Sequence, residues 1–189
     1  MTQDALHLVL VQDNPTVGDT SGNADKVLDA LNRHQDADLL VFSECFISGY
    51  PLNDLVLRPG FLAGVTAAIE TIREAVVAAQ GPAVLLGAPV PRSELPGNAA
   101  LLIDPDGSIR TVMKTELPNT DVFDERRTFA SGDGGRPGHR RRRRVPGRSP
   151  HVDPRRVAAL TCPHLSTPCG FGPWSPREAA RCWPPSHRP

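Results

Sequence analysis

The chain lacks a long apolar run. Nothing in it approaches the roughly 18 consecutive apolar residues of a membrane span, and its start, Met1-Thr2-Gln3-Asp4, has neither the positive flank nor the apolar centre of a secretory signal. A cytoplasmic location with no membrane partner is therefore expected. Cysteine is scarce: of four, only Cys45 precedes residue 133, and Cys162, Cys169 and Cys182 follow it. That distribution suggests no disulfide framework for the first segment. Cys162, His164, Cys169, Cys182 and His187 are donor types that zinc accepts, but no CxxC pair or other familiar spacing joins them, so no metal site is expected. A glycine-rich phosphate loop is also missing.

Net charge is absent as well, but only because two halves cancel. Residues 1–132 hold 18 acidic and 9 basic side chains, whereas residues 133–189 hold 3 acidic and 12 basic ones, so the segments carry −9 and +9. All 12 basic residues of the second segment are Arg, and 11 of the chain's 20 prolines lie there. Such a shift marks a boundary, giving a folded segment 1–132 and a Pro/Arg-rich, low-complexity tail 133–189. The run Arg140-Arg141-Arg142-Arg143-Arg144 could neutralise phosphates. The tail has no interleaved aromatics, Lys or binding fold, however, so a solvated, disordered run is favoured over a nucleic-acid contact. Arg, Pro, Gly and Ala make up 33 of its 57 residues, and all four have codons rich in G and C. Some or all of the tail is expected to be an out-of-frame translation, which resequencing near the codons for Gly132 to Arg144 would expose.

What is present before residue 133 is an alternation of short apolar and longer amphipathic runs. Leu6 to Val11 reads as a buried strand, and Asn23 to Arg33 as a helix with Val27, Leu28 and Leu31 on one face. Leu39 to Ser43 reads as a second strand. Gly60 to Ala79 places Phe61, Val65, Ala68, Ile69, Ile72 and Val76 at helical spacing. Ala83 to Ala88 and Ala99 to Asp104 read as strands, and Pro105-Asp106-Gly107 as a tight turn that returns Ser108 to Met113 as a hairpin partner. The pattern predicts an α/β fold with helices packed on a sheet.

Two strand ends carry polar residues suited to catalysis. Glu44 follows Leu39-Leu40-Val41-Phe42, where lost solvation would raise a carboxylate toward the range of a general base; a carboxylate satisfied by backbone donors is the alternative. Lys114 closes the run from Ile109 and could stabilise a developing oxyanion, or be a solvated surface lysine.

Around these residues stand further strings: Val11-Gln12 with Val17-Gly18-Asp19 and Asn23, Gly49-Tyr50-Pro51-Leu52-Asn53-Asp54-Leu55-Val56-Leu57, Leu86-Gly87-Ala88-Pro89, Asn98-Ala99-Ala100, Lys114-Thr115-Glu116-Leu117-Pro118-Asn119 and Val122-Phe123-Asp124-Glu125-Arg126-Arg127. In this order and spacing they resemble the nitrilase, or carbon-nitrogen hydrolase, superfamily, and within it the glutaminase domain of glutamine-dependent NAD synthetases. The resemblance covers nearly all of residues 5–132 and implies a partial nitrilase-like αββα sandwich. It implies that Glu44 is the base and Lys114 the oxyanion stabiliser, with Tyr50 and Phe123 at the glutamine pocket or ammonia exit. Both aromatics are equally compatible with ordinary packing. Thr120 stands where the pattern has Tyr.

The implied nucleophile is a cysteine at the end of another apolar strand, followed by Glu-Asp. The comparable string is Val157-Ala158-Ala159-Leu160-Thr161-Cys162, continued by Pro163-His164 and placed 48 positions beyond Lys114. Cys162 is thus either the nucleophile or a surface thiol. The synthetase string Ser-Gly-Gly-x-Asp-Ser is missing. The resemblance accordingly implies glutamine as substrate, no cofactor for the glutaminase half, and ATP and magnesium for an absent synthetase domain, which would be the partner. It also implies a homo-oligomer in the intact family.

The expected function is glutamine amide hydrolysis supplying ammonia for NAD synthesis, in a truncated or frame-disrupted chain expected to be inactive by itself. Exposed sheet edges and helix faces would then make it poorly soluble. The alternatives are a stand-alone nitrilase-type amidase on another small amide, and a catalytically dead remnant whose Arg-rich tail contacts nucleic acid.

Overall fold

The structure is a computed structural model that describes residues 5–120 and 123–132. The tail 133–189, including Cys162 and the arginine run, lies outside the described residues, as do the expectations attached to it. The order of elements is β1 (Leu8–Leu10), α1 (Thr20–Arg33), β2 (Leu39–Val41), a 3-10 turn (Asn53–Leu57), α2 (Pro59–Ala79), β3 (Ala83–Val90), β4 (Gly97–Ile103), β5 (Ile109–Met113) and the short α3 (Glu125–Thr128). They form one five-stranded sheet in the order β1-β2-β3-β4-β5. β1, β2 and β3 run parallel, joined by crossovers through α1 and α2, and β3, β4 and β5 run antiparallel through direct connections.

The sequence explains each element locally. α1 begins three residues before the predicted Asn23, because Asp19 caps it: its Oδ1 accepts from the Gly22 N–H at 2.9 Å. In α2, Pro59 opens the first turn, and Val65, Ala68, Ile72 and Val76 form a buried stripe at three- and four-residue spacing. Gln80 ends it in the left-handed conformation at φ 48°. The predicted turn also forms: Gly107 takes φ 81°, its N–H donates to Asp104 O at 2.9 Å, and Ile103 pairs with Ile109 across the hairpin.

Both helices share one face of the sheet. Val27 and Leu31 of α1 and Ile72 and Val76 of α2 pack with Leu40, Val84, Leu86 and Leu101 in a single apolar core. The register puts Leu39, Val41, Leu85 and Leu102 on the opposite face, where they form a second buried cluster. β2, β3 and the Ala99–Ile103 part of β4 consequently read as continuous apolar runs. β1 corrects the expectation of a buried strand: Leu8 is 38% and Leu10 66% exposed. It is outermost in the described sheet, and the register directs both leucines away from the helices. No helix among the described residues is long and apolar enough to cross a membrane.

Candidate active site

The carboxyl ends of β2, β3 and β5 and the amino end of β4 lie at one end of the sheet, where ligands of open α/β sheets commonly bind. Past β2, the chain turns across the end of β3. The Phe42 N–H donates to Leu85 O at 2.9 Å, the Gly87 N–H to Ser43 O at 3.3 Å, and the Ile47 N–H to Gly87 O at 3.3 Å. Phe42 and Phe46 anchor this turn in the helix-covered core, with ring centroids 4.9 Å apart in an edge-to-face pair. The close approach requires glycine: a Cβ on Gly87 would fall 2.6 Å from Glu44 Cα. Cys45, at φ 51°, completes the turn.

From this turn Glu44 reaches across two strands. Its Oε1 accepts from Lys114 Nζ at 2.9 Å and from Asn98 Nδ2 at 2.5 Å. The two strand-end residues singled out in the sequence therefore meet, 70 positions apart in the chain. Lys114 is held at its own end by its N–H to Asn98 O at 2.8 Å and its carbonyl to the Gly132 N–H at 2.8 Å. Its side chain is only 3% exposed, which removes the solvated-surface alternative.

A third charge was missed. Glu125, the first residue of α3, with 5% of its side chain exposed, accepts from Lys114 Nζ through Oε1 at 3.0 Å. Its Oε2 is equally close to the ammonium, at 2.9 Å, but out of line for a hydrogen bond and without another partner among the described residues. Burial works against the charge on Lys114, but hydrogen bonds to Glu125 and Glu44 outweigh it and hold the ammonium above the usual lysine range. Glu44 retains 27% side-chain exposure, and among the described residues Lys114 and Asn98 each donate to its Oε1.

Tyr50 belongs to the same cluster. Its hydroxyl donates to Glu125 Oε1 at 3.3 Å, and burial followed by the Glu125 charge pushes its pKa up to about 12. It lines a recess with Pro51, Leu52, Asn53, Asp124, Glu125 and neighbouring residues of α3. Phe123 is 41% exposed beside α3, its N–H donating to Thr120 O at 3.0 Å, and it is not among the described walls of that recess. Cys45 is the one cysteine among the described residues and is wholly buried. Burial, then the Glu44 and Glu125 charges, push its thiol well above the ordinary range, so it is not poised as a thiolate nucleophile.

Asn98 and Glu125 are thus the site residues that sequence reasoning did not single out. Asn98 stands in front of the apolar run Ala99–Ile103, and Glu125 in an exposed-looking Asp-Glu-Arg-Arg string. A polar residue opening an otherwise buried strand was the local signal for the first; for both, the strings that carry the family resemblance contained the residue without giving it a role.

Two carboxylates that share one buried ammonium, Glu44 and Glu125 on Lys114, are groups of the kinds that can take up a proton and stabilise an oxyanion. The carbon-nitrogen hydrolase family profile matches residues 8–162. The chain is 38% identical over 131 residues to the glutamine-dependent NAD(+) synthetase of Rhodobacter capsulatus, covering 68% of this chain and 23% of the relative. It is 41% identical over 131 residues to that of Thermotoga maritima, covering 68% and 22%. Among solved structures, it resembles the glutamine-dependent NAD+ synthetase from Acinetobacter baumannii at a TM-score of 0.57 and 29% identity, covering 67% of this chain and 24% of that one. An amidase from Nesterenkonia sp. matches at 0.60 and 26%, covering 68% and 48%. The chain thus spans about a quarter of the length of the curated relatives it matches.

Proposed function

The chain belongs to the carbon-nitrogen hydrolase family, and from that membership we propose that it carries the glutamine-hydrolysing site of a glutamine-dependent NAD synthetase, with Glu44 as base, Lys114 as oxyanion stabiliser and Cys162 as nucleophile. The observation that carries this reading is the meeting of Glu44, Lys114 and Glu125 at one end of the sheet. Support for the substrate comes from relatives at 38% and 41% identity, both glutamine-dependent synthetases. Support for Cys162 comes from the family match, which runs to that residue, and from the unsuitability of Cys45.

In the proposed reaction Glu44 takes the Cys162 thiol proton, and the thiolate attacks the side-chain amide carbon of glutamine. Lys114 stabilises the resulting oxyanion. The C–N bond then breaks, Glu44 returns the proton to the departing nitrogen, and ammonia leaves a thioester. Glu44 next deprotonates a water molecule, which attacks the thioester, and release of glutamate restores the thiol with that proton. The balance is glutamine plus water to glutamate plus ammonia. Glu125 does not enter the proton transfers; it fixes the ammonium. The ammonia would serve a synthetase domain, and ATP and magnesium would act there.

The test is ammonia release by the full chain from glutamine and from a simple aliphatic amide, with Glu44→Gln and Cys162→Ala. Against the expectation from the sequence that the chain is inactive by itself, the assembled Glu44–Lys114 pair leads us to expect release from glutamine that disappears in both variants. Release that survives either substitution removes the assigned roles, and preference for the aliphatic amide transfers the site to an amidase.

A further inference from the structure

Asn98, the second residue of β4, has 2% of its surface exposed, and three of its polar groups each meet a different part of the candidate site. Its Nδ2 donates to Glu44 Oε1 at 2.5 Å, its Oδ1 accepts from the Cys45 thiol at 3.6 Å, and its backbone carbonyl accepts the Lys114 N–H at 2.8 Å. We propose that Asn98 is the positioning residue of this site: its amide orients the carboxylate of Glu44 while its carbonyl anchors the backbone of Lys114, so one residue sets both groups toward the same substrate. The proposal rests on the reading of Glu44 as base and Lys114 as oxyanion stabiliser.

Such a device suits the geometry. Glu44 sits on a turn beyond β2 and Lys114 just beyond β5, with β3 and β4 between those strands. A glutamate has several side-chain torsions to fix, and an ion pair with a flexible lysine gives little directional control. Asn98 donates to the same carboxylate oxygen as Lys114, from a short side chain rooted in the central sheet. The orientation of its amide is itself determined. Turned over, it would place its oxygen against Glu44 and its NH2 against a thiol that is held protonated; as placed, the NH2 and the thiol each meet an acceptor.

Carbon-13 NMR of the Glu44 carboxyl in the full chain tests this without requiring turnover. Asn98→Leu keeps the approximate volume and removes the donor, so the Glu44 titration midpoint should move upward by about one pH unit. Asn98→Asp sets a second carboxyl against Oε1 and should also raise the midpoint, as a coupled pair. It serves as well if the leucine variant does not fold. Lys114, Glu125, Cys45 and Tyr50, the other titratable members of the cluster, are unchanged in each variant. Leu102→Ala, on the same strand but in the opposite-face cluster, should loosen β4 and leave the midpoint in place. An unmoved midpoint in the folded Asn98 variants, or an equal shift in Leu102→Ala, overturns the proposal. Ammonia release is read separately: a wild-type chain that releases none defeats the glutaminase reading, while the titration still decides what Asn98 does.

Discussion

The helix-covered face of the sheet and the end of the sheet that carries Glu44 and Lys114 are buried to a similar depth, yet they are held by opposite means. On the face, Ile72, Val76, Val84 and Leu86 are fully excluded from solvent and bind by apolar contact, which has no direction and tolerates exchange at constant volume. At the strand ends, Asn98 at 2%, Lys114 at 3% and Glu125 at 4% are buried with polar groups and charges that must be matched atom by atom. The first region supplies stability. The second spends some of that stability on geometry, so a lost partner there should hurt far more than a lost contact area would suggest.

The largest effect should come from breaking the buried charge cluster. Lys114→Ala leaves Glu125 without its cation in a site that water barely reaches, and we expect a loss of about 3–5 kcal/mol in denaturant unfolding together with loss of ammonia release. A Lys114→Met, Glu125→Leu double variant should recover most of that stability without recovering activity. If Lys114→Ala costs no more than a surface substitution, the contrast between the regions fails. Ile72→Ala is the matching change on the other side, expected to cost about 3 kcal/mol through the cavity left under α2. Turnover per folded molecule should be unchanged; altered kinetics in that folded variant would mean that the two regions are coupled.

The regions also differ in how they are written in the sequence. The apolar face was legible because periodicity is local: Val65, Ala68, Ile72 and Val76 mark α2, and unbroken runs mark β3 and β4. That same signal misjudged β1, since an apolar run does not say which strand is outermost, and Leu10 is left 66% exposed. At the strand ends, Glu44 and Lys114 could be found as polar residues closing apolar runs. Asn98 and Glu125 could not be assigned roles, because their partners are fixed by the β4–β5 register and by where α3 returns to the sheet. Spacing along the chain carries neither. Tyr50 lay between these cases: its string was visible, but its hydrogen bond to Glu125, 75 positions away, was not.

Gly87 is where the two regions touch, being part of β3 and also the surface on which the Glu44 turn rests. Gly87→Ala would set a methyl group 2.6 Å from Glu44 Cα, against backbone that cannot rotate away. The turn must shift, at a cost of about 1–3 kcal/mol. Because the displaced group is the proposed base, kcat should fall by more than the rise in KM. A variant that loses stability while keeping its kcat would show that the turn can adjust without moving the carboxylate.

Tyr50→Phe should have the smallest effect at neutral pH and separates the regions by pH instead. It removes one part-exposed hydroxyl hydrogen bond to Glu125, so the neutral cost should be about 1 kcal/mol or less. Tyr50 has a folded pKa of about 12, raised from 10.0. A raised folded value means that the phenol contributes stability fully below the unfolded value and loses it as pH rises from 10 through 12. The Lys114 ammonium, also raised from its ordinary 10.5, loses its contribution in the same direction. Wild-type stability should therefore show no loss from these groups between neutral pH and about 9, then decline through the alkaline range. Tyr50→Phe should decline less steeply, because one of the two groups is gone, whereas Ile72→Ala should run parallel to wild type at a lower level. Unfolding curves collected from pH 7 to 12 decide the matter, and a Tyr50→Phe curve parallel to wild type would remove Tyr50 from the charge cluster and return it to ordinary packing.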